Sequence, residues 1–105
     1  MGAEETNVAI VRDLYEQWNS TKGGSVDLWL ERMADEVDWR SLADGAAGME
    51  FTRAASTREQ VGGYMQGLLE NWKMEYYAVD EFVAQGDRVV MLGRCAWTHR
   101  TTGKR

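Results

Sequence analysis

Phe82-Val83-Ala84-Gln85-Gly86-Asp87-Arg88-Val89-Val90 is the stretch whose reading decides the fold. Two apolar, β-type runs meet at Gly86-Asp87, a pair suited to a two-residue hairpin turn. Working outward, Lys73 to Gln85 alternates as one long strand, and Arg88 to Arg100 follows as its antiparallel partner. On the second strand Val89, Met91, Cys95, Trp97 and His99 share one face, while Val90, Leu92, Arg94, Ala96 and Thr98 share the other. The first face carries more aromatic bulk, so it is expected to meet the helices. The second is still apolar at Val90 and Leu92, which points to partial cover by another subunit. After the hairpin, Thr101-Thr102-Gly103-Lys104-Arg105 reads as a second turn without a returning strand.

The segments before the hairpin are mostly helical. Thr6 is the expected N-cap of a helix over about Asn7 to Ser20, with Val8, Val11, Leu14, Tyr15 and Trp18 at helical spacing. Ser25 is expected to cap a second helix ending near Asp35, in which Val26, Trp29, Leu30 and Met33 make one apolar face. Val37-Asp38-Trp39-Arg40-Ser41 alternates, so Val37 and Trp39 are expected to face inward from a short strand. Ala43 to Ser56 is a Gly-rich loop, with Met49 to Thr52 as a possible short strand. Thr57-Arg58-Glu59-Gln60 is a capping box opening a third helix. Its expected buried face is Val61, Tyr64, Met65, Leu68, Leu69 and Trp72. Gly62, Gly63 and Gly67 lie inside that helix, each costing up to about 1 kcal/mol relative to Ala. Close packing and room for a ligand are the two explanations.

Composition narrows the function. At 105 residues the chain is one domain, expected to span 1–105. Its net charge is -5 and no basic run exceeds two residues, which argues against nucleic acid. No apolar run is long enough for a membrane span, and the acidic start is unlike a secretory signal. The single cysteine fits a reducing, cytoplasmic setting. With one histidine, one cysteine and no ligand spacing, no metal and no cofactor are expected.

The order helix, helix, strand, helix, long hairpin is that of a cone-shaped α+β fold. Val11-Arg12-Asp13-Leu14-Tyr15-Glu16-Gln17-Trp18-Asn19 resembles the first helix of SnoaL-like proteins. Met33-Ala34-Asp35-Glu36-Val37-Asp38-Trp39, Thr57-Arg58-Glu59-Gln60-Val61 and the quoted hairpin are similar to three further segments of that family, in the same order. The wider superfamily includes ketosteroid isomerase and nuclear transport factor two. The resemblance implies a curved antiparallel sheet wrapped by three N-terminal helices, an apolar pocket for a small molecule, and a homodimer through the outer sheet face. It also implies further strands after Gly103, so the chain is expected to be C-terminally truncated or to complete its sheet through a partner.

It does not imply a reaction, because the fold hosts several. In ketosteroid isomerase a carboxylate moves the proton, and a tyrosine with a protonated aspartate holds the enolate. Those roles fall near Ser41, at Leu14 (with Tyr15 one position off) and beyond Gly103. The known isomerase mechanism is therefore not expected. His99 is the best acid–base candidate, and Asp38 is the nearest acid on the first strand. Trp18, Trp39, Tyr64 and Trp97, with Leu14, Ser41 and Met91, are the expected pocket residues. Three readings stay open: a proton-transfer enzyme of isomerase, cyclase or hydrolase type acting on a small apolar compound, a non-catalytic binder, and a dimerisation module.

Overall fold

The computed structural model describes residues 2–105. Helix α1 runs Ala3–Ser20, α2 Val26–Glu31 and α3 Arg58–Asn71. Strands are β1 Glu36–Trp39, β2 Ala55–Thr57, β3 Trp72–Gln85 and β4 Arg88–His99. The architecture is α+β, as expected. The strands form two antiparallel pairs, β1 with β2 and β3 with β4, rather than one continuous curved sheet. No strand among the described residues joins β1 to β4, so each pair keeps a free edge. No helix is long and apolar enough to cross a membrane among the described residues.

Several boundaries differ from the sequence reading, each for a local reason. Helix α1 begins earlier than Asn7. Ala3 is a strong helix former, and Glu4 and Glu5 sit in the first turn where the helix dipole favours anions. Thr6 is therefore inside the helix, and its hydroxyl donates to the Gly2 carbonyl. Helix α2 stops at Glu31, short of Asp35, because Arg58 captures the following turn. Its guanidinium donates to the Met33 carbonyl at 2.6 Å and pairs with Asp35 at 3.0 Å. Met49 to Thr52 holds a short 3-10 turn at Glu50–Thr52, and the strand comes later as β2. The buried Thr52 hydroxyl anchors that loop by accepting from the Gly45 N–H at 2.9 Å.

The capping box forms at α3. Thr57 Oγ1 accepts from the Gln60 N–H at 3.2 Å. Gln60 Oε1 reaches back to the N–H of Ser56, one residue before the cap, at 2.8 Å. At the other end, Trp72 leaves the helix for extended backbone and starts β3 directly. Val61 and Met65 are the buried residues of α3, and Tyr64, Leu68 and Leu69 pack against the core. Leu14, Trp18, Trp29, Ala55 and Met74 complete that core.

The β3–β4 hairpin turns at Gly86, whose φ of 59° is the left-handed conformation glycine adopts without strain. Two register shifts interrupt it, between Met74 and Tyr76 and between Val79 and Glu81. They change which β3 residues face inward, so Met74, Tyr77 and Phe82 oppose Trp97, Cys95 and Met91. On strand β4 burial alternates from Arg88 to Leu92, with Val90 and Leu92 about half exposed (51% and 49%) on the outer face, and Trp97 packs on the core.

Candidate functional site

A chamber of about 240 Å3 lies between α1, α3 and the near half of the hairpin. Helix α1 supplies Tyr15 and Trp18, one helical turn apart. Trp29 comes from α2 and Trp39 from β1, while α3 adds Tyr64, Met65 and Leu68. The hairpin closes the wall with Tyr77, Cys95 and Trp97. Cys95 is a free, exposed thiol, so the chamber opens beside β4.

The wall is a connected series of rings. Tyr77 stacks on Tyr15 at 5.5 Å, and Tyr15 meets the edge of Trp29 at 5.1 Å. Trp29 contacts Trp39 at 6.4 Å, and Trp39 contacts Tyr64 at 5.7 Å, both edge to face. Such pairs contribute about 0.5–1.5 kcal/mol beyond the area they bury, so the wall holds its own shape. The structure thus brings six elements together around one small space.

The chamber's electrostatics are those of neutral donors. Burial pushes the Tyr15 phenol above the ordinary tyrosine range. Burial also raises Tyr77, and neighbouring Tyr15, Cys95 and Tyr64 raise it further. Both phenols are therefore protonated at neutral pH. The indole N–H groups of Trp29 and Trp39 are buried without an acceptor among the described residues. Among the described residues, no Asp, Glu, Lys, Arg or His lines the wall.

Of the expected pocket residues, Trp18, Trp39, Tyr64 and Trp97 line the chamber. Leu14 is buried in the core behind it. Ser41 lies after β1, its hydroxyl accepting from the Ala43 N–H. Met91 pairs with Phe82 in the far half of the hairpin. The two acid–base candidates also lie elsewhere. Asp38 is exposed and pairs with Arg40 at 2.7 Å. His99 rests edge-on against Trp72, with ring centroids 4.9 Å apart, and its Nδ1 accepts from the Thr102 N–H.

Tyr15, Trp29, Met65, Leu68, Tyr77 and Cys95 join the chamber without having been singled out for it. Most were visible as apolar-face residues of α1, α2, α3 and β4. Tyr77 was hidden by the register shift before it, which strict alternation does not register. A metal is not favoured by the donor set, since no group of three His, Cys, Asp or Glu side chains could hold an ion among the described residues.

Neither the curated proteins nor the solved structures contain a match to this chain. The family model described as "SnoaL-like domain" matches residues 11–105, which includes every chamber residue. The chain belongs to the SnoaL-like domain family, within the superfamily of nuclear transport factor two.

Proposed function

We propose that this domain binds a flat, apolar molecule of two or three fused rings carrying an oxygen acceptor. The observation behind this reading is the chamber wall, which is built from aromatic rings and neutral donors and has no charged side chain. Stacked rings favour a planar guest. The volume of about 240 Å3 lies just under the roughly 300–1,000 Å3 of drug-sized pockets, which favours a small polycycle. An acceptor oxygen is favoured because three phenols, those of Tyr15, Tyr64 and Tyr77, belong to the wall. A phenol O–H donating to a ligand carbonyl would contribute about 0.5–1.5 kcal/mol.

The second reading is a proton-transfer enzyme of the cyclase or isomerase kind found in this family. The stacked Tyr15 and Tyr77 favour it, since neutral phenols can donate to an oxygen on which negative charge develops. It also needs a base, and neither His99 nor Asp38 lines the wall. A homodimer remains part of the proposal. Tyr76, Val83, Val90 and Leu92 leave apolar surface on the outer side of the hairpin for a second copy to cover.

Matched ligands test the binding reading. α-Tetralone and tetralin share a bicyclic frame, and only the ketone carries the oxygen. Tryptophan fluorescence should report both, with the ketone about 2- to 12-fold tighter, as one hydrogen bond of 0.5–1.5 kcal/mol implies. Tyr77→Phe should shrink that difference. Equal affinity for the two ligands would remove the acceptor from the proposal, and no quenching by either would end it.

A further inference from the structure

The outward side of α3 carries a second space that the chamber does not use. Here α2 and α3 border an open groove of about 810 Å3. Val26, Leu30 and Leu69 give it an apolar floor, and Gly62 and Gly63 leave α3 without side chains along the middle. Glu59 and Glu70 stand on its α3 side. Asp27 and Glu31 follow Val26 and Leu30 on α2, one step further around that helix.

Internal packing does not account for Gly63. Gly67 is explained, because a Cβ there would come 2.6 Å from the Phe51 Cβ. A Cβ on Gly62 would make ordinary contact with Leu30 Cδ1 at 3.4 Å. A Cβ on Gly63 would meet nothing within 4 Å. Glycine inside a helix is unfavourable relative to alanine, so the bare surface at Gly63 is a cost without return inside this chain.

We propose that this groove is a docking surface for a basic amphipathic helix of another protein. Missing side chains let two helices approach to the short end of the usual 8–10 Å interaxial range. From Glu59 to Glu70 the groove runs about 16 Å at 1.5 Å per residue, which is three helical turns. The charge is complementary to a cationic partner. None of the lining residues is basic, and Asp27, Glu31, Glu59 and Glu70 make no salt bridge among the described residues. Their carboxylates are not grouped to hold a metal ion. A second copy is disfavoured, because the same acidic rims would face each other on a chain of net charge -5.

A fluorescein-labelled peptide of Leu and Lys at helical spacing tests this by anisotropy. A peptide of the same composition with Leu and Lys in strict alternation serves as the control. The helical peptide should bind, and more weakly as salt rises. Gly63→Leu should weaken binding about tenfold or more, a loss near 1.4 kcal/mol, by filling the line of approach. Its melting temperature should not fall, since the new Cβ meets nothing within 4 Å and leucine is a better helix former than glycine. The double variant Glu59→Gln, Glu70→Gln should weaken binding about fivefold and flatten the salt dependence, as two exposed ion pairs imply. Equal binding by wild type and Gly63→Leu would overturn the proposal, as would equal binding of the alternating peptide or no binding at all. Self-association of the wild type that Gly63→Leu abolishes, seen by sedimentation velocity, would also overturn it by assigning the groove to a second copy.

Discussion

The two sides of α3 build spaces of opposite character from one helix. Its inner side gives Tyr64, Met65 and Leu68 to a small chamber, closed by rings from five other elements. Its outer side gives Gly62, Gly63, Glu59 and Glu70 to a wide groove that is defined by missing side chains and rimmed by acids. The inner space is held by packing, so its shape and the stability of the fold depend on the same atoms. On the outer side Val26, Leu30 and Leu69 still pack against the core, but the exposed Gly63, Glu59 and Glu70 contribute little to folding and are free to serve recognition. Stability and binding should therefore be coupled on one side and separable on the other.

The sharpest attack on that contrast is Trp29→Ala. Trp29 is both a core residue and a chamber wall, and it touches Tyr15, Trp18 and Trp39. Truncation should cost about 3–5 kcal/mol, a large share of the stability of a small domain, and should abolish the tetralone signal with it. Urea denaturation measures the loss. A change below about 1 kcal/mol would mean that the inner side is not held by its rings.

Alkaline pH tests the same coupling without a large truncation. Tyr15 and Tyr77 have folded pKa values above the ordinary tyrosine value of 10.0. The native state thus holds those protons when the unfolded chain has begun to lose them. Their contribution is fully present below pH 10 and declines as pH rises from there towards the folded values. Melting temperatures taken from pH 8 to 11.5 should fall above pH 10, and Tyr77→Phe should fall less steeply. Parallel curves would detach Tyr77 from the stability of the chamber.

The smallest expected effects compare two glycines of α3. Gly63→Ala should stabilise the protein by up to about 1 kcal/mol, because the helix gains propensity and nothing is displaced. Gly67→Ala should instead destabilise it, because the added carbon meets Phe51. Thermal melts of the pair measure the signs. If Gly63→Ala also lowered the midpoint, the outer side would be part of the folded core after all.

Local chemistry alone determined much of this protein. The capping box at Thr57, the Gly86 turn and the alternation of β4 from Arg88 to Leu92 could each be read from neighbouring residues, because each depends on contacts a few positions apart. Of the β4 face expected to point inward, Trp97 packs on the core whereas Cys95 is exposed. Other outcomes needed the folded chain. Arg58 ended α2 by taking a carbonyl from a distant turn, and the register shift between Met74 and Tyr76 turned Tyr77 inward against Tyr15. Likewise, His99 and Asp38 carry suitable chemistry but sit outside the chamber. A residue's type and periodicity reveal which face it occupies. Which faces meet is decided only when distant elements pack, because the contacts that choose among them do not exist in the extended chain.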